Sequence, residues 1–396
     1  MKTVGIIAEY NPFHNGHEYH IEKAKEITGA DAVVVIMSGN FVQRGAPAIM
    51  PKHIRANDAL HCGASLVIEL PVCYATGTAE QFAYGAISIL SKLGCIDSIC
   101  FGSECNDIRL LTGLADILVE EPEPYRTSLQ TYLRSGMSYP QARQEAIASY
   151  TSNQSIASIL SCPNNILGIE YLKALKRLNS TIIPYTIQRM DSSYHDRELA
   201  KNYSSATAIR AYIESGDWNS IQEHVPCNDF ATYKFPITSN DFSLLLRYCL
   251  LNHSNETLTA YADVSEELAN RIYNQLNNFQ SFNQFCELLK TKEITYTRIS
   301  RALIHVLLNI KKESYQEIEY ARVLGFHSEK AKLLTQIKQQ HLISIVTKRT
   351  NQEQLSRSAQ DMLSQDIFAA NLYHSVLSQK FNQPFKNEYE HPIIRM

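Results

Sequence analysis

A doubly wound parallel sheet of the α/β class, followed by a mainly helical second half, is what this sequence predicts, and three observations predict it. The first half alternates short β-branched runs with amphipathic helical stretches. Its strand candidates are continuously apolar rather than alternating, as expected of strands covered by helices on both faces. After about residue 215, Leu-, Ile-, Glu-, Lys- and Gln-rich stretches recur at helical spacing with few strand signals. A chain of 396 residues exceeds one hydrophobic core. The division expected is therefore a catalytic domain over 1–215 and a helical domain over 216–396.

In chain order, Val4 to Ala8 predicts the first strand, Asp31 to Met37 the second, Leu66 to Leu70 the third, Ser98 to Phe101 the fourth and Thr181 to Ile187 the fifth. Between them Glu18 to Thr28, Lys52 to His61, Ala79 to Leu93 and Ile166 to Leu178 carry helix-period apolar positions, with Gly29 and Gly94 as stops. In such a sheet a ligand lies across the carboxyl ends of the strands, so the loops just after them are where chemistry is sought.

Composition narrows the classes. The chain is 44% hydrophobic and 19% charged, which excludes a disordered or collagen-like chain. A net charge of −3 gives no global attraction to nucleic acid, so an RNA partner needs a local basic surface. Nine scattered cysteines read as reduced thiols of a cytoplasmic protein. No stretch reaches the roughly 18 apolar residues of a membrane-spanning helix, and the N-terminal apolar run is broken by Glu9, which disfavours a signal peptide. Cys100 and Cys105 lack the partners of a zinc site, so no protein metal site is expected.

The chemistry concentrates directly after the first strand, in Glu9-Tyr10-Asn11-Pro12-Phe13-His14-Asn15-Gly16-His17-Glu18-Tyr19-His20. Asn11-Pro12 turns the chain, Gly16 removes bulk where backbone can approach a phosphate, and a helix starting near His17 presents free N–H groups and a positive dipole end. His14 and His17 supply two donors for the charge that grows on a phosphoryl group in its transition state. Surface histidines, or a metal shared by His14, His17 and His20, are the plainer alternatives.

This segment resembles the His-x-Gly-His signature of nucleotidyltransferases and class I aminoacyl-tRNA synthetases, whose fold is a Rossmann-like sheet and whose chemistry is attack on the α-phosphate of ATP. A second signature of that superfamily resembles Ser204-Ser205-Ala206-Thr207-Ala208-Ile209-Arg210. It implies that Thr207 grips the outer phosphates with Arg210 as cation, against a plain helix cap.

The full chain resembles more closely the bacterial tRNA(Met) cytidine acetate ligases, through the opening motif, Val35-Ile36-Met37 through Gly45, Phe101-Gly-Ser-Glu104, Pro163-Asn-Asn-Ile-Leu-Gly168 and Tyr194-His-Asp196. That resemblance implies ATP binding by Ile7, Ala8, Glu9, Tyr10, Asn11, Pro12, Phe13, His14, Asn15, Gly16, His17 and His20. It extends by motif position to Gly102, Asn164, Asn165, Arg189 and Thr207. Gly102 is a close-approach or a plain turn glycine, and Asn164 and Asn165 are equivalent candidates for reading adenine or capping a helix. Asn40, Gln43 and Arg44, after the second strand, are candidates for acetate or tRNA contact.

The implied reaction activates acetate with ATP, accompanied by Mg²⁺, and acetylates the wobble cytidine of elongator tRNA(Met) through acetyl-adenylate, releasing AMP and pyrophosphate. An RNA face is expected where Lys290, Lys292, Tyr296, Arg298, Arg301, Lys311 and Lys312 gather charge in the helical half. Two rivals stand beside it. A small-molecule adenylyltransferase leaves the helical extension unexplained, and a non-catalytic RNA-binding scaffold sits poorly with intact His14, Gly16 and His17.

Overall fold

The structure is a computed structural model that describes residues 1–153, 155–189, 199, 203–226 and 235–396. The first strand, β1 (Thr3–Ala8), leads into α1 (Asn15–Thr28), then β2 (Ala32–Ser38), a small hairpin of β3 (Phe41–Val42) and β4 (Ala46–Pro47), and α2 (Lys52–His61). There follow β5 (Leu66–Leu70), α3 (Val72–Ala75), α4 (Ala79–Lys92), β6 (Ser98–Ser103), and the helices α5 (Ile108–Glu120), α6 (Glu123–Arg134), α7 (Tyr139–Thr151), α8 (Ser155–Ser161) and α9 (Pro163–Arg177). After β7 (Ile183–Gln188) come α10 (Ala206–Ser215), α11 (Ser243–Leu251), α12 (Asn255–Leu258), α13 (Glu266–Gln275), α14 (Phe282–Leu289) and α15 (Tyr296–Leu307). The chain ends with β8 (Tyr320–Phe326), α16 (Lys332–Gln340), β9 (Ser344–Val346), α17 (Arg357–Phe381) and β10 (Ile394–Arg395).

The five expected strands form a parallel block in the order β5-β2-β1-β6-β7. Its continuous apolar runs are explained by two faces that are both buried. Val33, Val35 and Met37 of β2 pack with Ile21 and Ala24 of α1 and Ala56, Ala59 and Leu60 of α2. Val34 and Ile36 belong to the opposite core with Phe82, Ala83 and Ile87 of α4. The chain winds from β1 to β2 and β5 on one side and to β6 and β7 on the other, so the direction reverses between β1 and β6, which is where a ligand crevice opens.

The second half departs from expectation. It is mainly helical, yet it adds β8, β9 and β10 to the same sheet, β8 running antiparallel to β5 with Glu69 opposite Arg322. The larger core runs unbroken from Val34 to Val376. Residue 215 thus marks a change of sequence texture across which the sheet and core continue. Tyr320-Ala-Arg-Val-Leu-Gly-Phe326 escaped notice because it is a single strand set among helices, with Arg322 interrupting its apolar run. The helical half is also tied to the loop after β2: Ser300 Oγ donates to Gly45 O at 2.6 Å and Tyr373 Oη to Ala48 O at 2.8 Å.

Two helices begin earlier than their apolar periodicity suggests. His14 is the N-cap of α1, and α9 starts at Pro163, with proline in the first turn where its missing N–H costs nothing.

Candidate nucleotide site

At the carboxyl ends of β1 and β6 lies a cavity of about 450 Å³. Ile7, Ala8, Glu9, Tyr10, Asn11, His14, Gly16, His17, His20, Gly102, Asn164, Arg189 and Thr207 all line it, though they come from five separate stretches of sequence. Four expected residues do not face it. Phe13 is fully buried in the core. Pro12 follows a cis peptide from Asn11 and shapes the turn. Asn15 is turned away, its amide N–H donating to His224 O at 3.0 Å and its Nδ2 to Glu223 O at 2.7 Å. Asn165 is buried and used structurally, as described below.

The His-Asn-Gly-His segment builds its own geometry. Gly16 N donates to His14 Nδ1 at 3.1 Å and His14 N donates to His17 Nδ1 at 3.3 Å, a reciprocal cap at the start of α1. An Nδ1 that accepts is unprotonated, so each neutral ring carries its proton on Nε2. The rings stack with centroids 3.7 Å apart. Burial pushes His14 down to about 3, with Arg189, Arg210 and His224 adding to the effect, and holds His17 well below its ordinary value, with His14 and Arg189 contributing. At neutral pH the pair is two neutral Nε2–H donors. Gly16 has a reason the sequence did not reveal: a Cβ there would sit 2.9 Å from His14 Cε1 and displace the ring.

His20 Nε2 lies 3.2 Å from Cys100 O and donates to it, which removes that nitrogen from metal ligation. Among the described residues no group of three or more His, Cys, Asp or Glu side chains is arranged to hold a metal ion. Eight of the nine cysteines are described, and all eight are free thiols.

Two motifs of the sequence turn out to brace each other. The Glu104 carboxylate accepts from Asn165 N at 2.8 Å, Asn164 N at 3.2 Å and Asn164 Nδ2 at 2.6 Å, so it caps α9. In return Asn165 Oδ1 accepts from Glu104 N at 2.9 Å and Cys105 N at 3.2 Å. Phe101 packs where Gly168 leaves space, a Cβ there falling 2.5 Å from its ring. The geometry separates the two asparagines: Asn165 holds the loop, while Asn164 lines the cavity and accepts from Arg189 Nη1 at 3.1 Å. Gly102 lies under the Arg189 stem, where a Cβ would come within 3.1 Å.

The N-terminus of α10 faces the same cavity. Ser205 caps it by accepting from Ala208 N at 3.1 Å, and Ser204 Oγ lies 3.1 Å from His224 Nδ1. Arg210 bonds Asn11 O at 2.7 Å and Thr207 Oγ1 at 3.1 Å, tying the hydroxyl-rich turn to the loop after β1. Tyr194, His195 and Asp196 lie outside the described residues.

Sequence reasoning missed Arg55. It is fully buried, and its guanidinium takes Met50 O at 3.0 Å, Glu9 O at 2.5 Å, Ser38 O at 3.2 Å and Gly39 O, gathering the ends of β1 and β2. An arginine on the core-facing side of a helix was the available signal. Glu9 accepts from Gln43 N at 2.8 Å, fixing the loop after β2 as a wall, and Gln43 and Arg44 line the cavity. Asn40 does not line it; its Oδ1 caps α2 at Lys52 N, 2.8 Å away. The wall formed by Ile237 to Asn240 and Asn283 comes from segments with no motif at all. The expected RNA face loses a member: Arg301 is bound to Asp263 at 2.8 and 3.1 Å, and Lys290 sits 3.7 Å from Glu287.

A family model described as HIGH nucleotidyl transferase matches residues 1–388. The tRNA(Met) cytidine acetate ligase of Thermoanaerobacter sp. (strain X514) is 42% identical over 407 aligned residues, covering all of both chains. That of Caldanaerobacter subterraneus subsp. tengcongensis is 41% identical, again covering all of both. The crystal structure of Thermotoga maritima TmcAL in its apo form I superimposes with a TM-score of 0.94 at 30% identity over the whole of both chains. Its form II, bound with alpha-thio ATP, gives 0.92 at 31% identity, covering 100% of this chain and 99% of that one. With the family model matching residues 1–388 and full-length identity at this level, the chain belongs to the HIGH nucleotidyl transferases and, among them, to the tRNA(Met) cytidine acetate ligase family.

Proposed function

We propose that the chain uses ATP to activate acetate and acetylates the wobble cytidine of elongator tRNA(Met) in the cytoplasm, passing through acetyl-adenylate and releasing AMP and pyrophosphate. The observation that carries the reading is the pair of Nε2–H donors set by backbone hydrogen bonds at the N-terminus of α1, in a cavity that also holds Arg189 and Arg210.

Acetate is a poor acylating agent and the exocyclic amine of cytosine is a weak nucleophile, so a leaving group must be attached to the acid first. Attack of an acetate oxygen on the α-phosphorus forms the acyl–phosphate bond and expels pyrophosphate with the bridging electron pair. His14 and His17, held with protons outward, stabilise the charge on the α-phosphoryl oxygens in that step without having to reorganise. Arg189, Thr207 and the N–H groups of α1 and α10 position the phosphates. The amine of cytidine then attacks the acetyl carbon, AMP leaves, and proximity supplies much of the rate. The residues lining the cavity offer Glu9 and Glu214 as carboxylates, of which Glu9 is bonded to Gln43 N, so Mg²⁺ fits only as an ion carried by the triphosphate and no step is assigned to it.

Labelled acetate, unmodified tRNA(Met) transcript and purified protein test the reading. ATP-dependent label on the wobble cytidine, with AMP formed and a rate lowered about 10²- to 10³-fold in His17→Asn, is the expected result. Turnover of ATP without label in RNA would favour a small-molecule adenylyltransferase instead.

A further inference from the structure

A second cavity, of about 680 Å³, lies on the far side of α2, beside β8 and β10. Its floor is apolar, from Val323, Leu324, Val346 and Ile393, and its rim is basic. Lys338 at the end of α16, Lys348 and Arg349 after β9, and Arg395 on β10 are all exposed, and none forms an ion pair with a carboxylate among the described residues. Arg349 lies over the Tyr389 ring at 5.7 Å and Arg395 over the Phe326 ring at 5.9 Å. A guanidinium laid on a ring is held in orientation while its in-plane N–H donors remain available. Glu388 is the single carboxylate in the lining, and it is already bound to Lys52, His53 and Arg322.

Four unneutralised cations in one groove are notable in a chain whose net charge is −3. They are spread over separate segments and do not converge, which suits a row of phosphates better than one small anion. The face expected from sequence has lost Arg301 to Asp263, whereas every cation on the rim of this groove is without a carboxylate partner among the described residues. It also shares a rigid part with the nucleotide cavity: α2 presents His53 to the groove and Arg55 to the strand ends that bear the first site.

We infer that this groove is a track for the phosphodiester backbone of a folded RNA, contacting it away from the base that reacts; that the RNA is tRNA(Met) rests on the proposed function. The track reads charge and shape, and leaves sequence to the other site.

Fluorescence anisotropy of labelled tRNA(Met) transcript, measured across a series of salt concentrations, tests this with two double variants. Lys348→Gln with Arg349→Gln should bind roughly ten-fold more weakly near 0.15 M salt, with the slope of log affinity against log salt shallower by about 2. Its ATP affinity, measured by calorimetry, should be unchanged, which excludes misfolding. Lys290→Gln with Lys292→Gln should have the smaller effect. Unchanged RNA affinity and slope in the first variant, or a larger loss in the second, would overturn the inference. Loss of RNA affinity in the first variant, together with no incorporation of acetate by the wild-type protein, would sink the proposed function and leave the track standing.

Discussion

Two clusters of ionisable side chains sit on either side of α2, and they settle their electrostatics in opposite ways. Behind the helix, Lys52 Nζ lies 2.6 Å from Glu69 and 2.9 Å from Glu388, while Arg322 meets Glu69 at 3.0 Å and also binds Glu388. Two cations face two carboxylates. Burial alone would raise the Glu388 pKa, but Lys52, His53 and Arg322 hold it well below the usual carboxylate range. In the nucleotide cavity, His14, His17 and His20 instead stand beside Arg189 and Arg210, and every imidazole is pushed toward its neutral form. The first cluster is closed and joins β5, β8 and the C-terminal segment. The second is short of negative charge, which the proposed triphosphate would supply.

Breaking the closed cluster should have the largest effect. Glu388→Gln removes a buried anion and strands Lys52 and Arg322, so stability should fall by about 3–5 kcal/mol, read as a lower urea midpoint at unchanged slope. A loss below 1 kcal/mol would mean that water or His53 already neutralises the site, and the comparison would lose its structural half.

The open cluster should respond in the other direction. Arg189 is exposed and pairs with Asn164 rather than with a carboxylate. Arg189→Met should leave the melting temperature unchanged or slightly raised, while ATP affinity drops by about 1.5–3 kcal/mol, or roughly ten- to a hundred-fold. A thermal scan reads the first and calorimetric titration of ATP the second; an unaltered Kd would remove Arg189 from the phosphate site.

The difference between the clusters also explains what was legible in the sequence. The parallel sheet and the strand-turn-helix site were visible because both are local: apolar runs of β1, β2 and β5, and a motif whose residues bond to one another within four positions. A further constraint on Gly16, the ring of His14, was not legible, because it is a rotamer that no spacing reports. The closed cluster was invisible. Lys52, Glu69, Arg322 and Glu388 are separated by 17 to more than 250 residues, and each alone reads as ordinary surface charge. Joining β8 to β5 across 250 residues of chain is a tertiary event decided by packing, so the sheet looked complete at β7.

The change that ATP makes to the acid titration is the smallest effect and the finest test. Burial first, then Arg189, lowers His14 to about 3 and His20 to about 4, against roughly 6.5 in an unfolded chain. Between those values the unfolded state binds protons that the folded state refuses, so stability rises with pH through this window and is complete above about 6.5. Each such residue should cost about 1.4 kcal/mol per pH unit as pH falls from 6.5 toward 4. His374 and His391, at about 4 beside the closed cluster, add to the same slope. Saturating ATP separates the two sets, because a phosphate anion beside His14 and His17 favours their charged forms and can do nothing for His374 and His391. Melting curves between pH 5 and 7 should therefore show a shallower acid slope with ATP than without it, and equal slopes would mean that the α1 imidazoles do not face the phosphates.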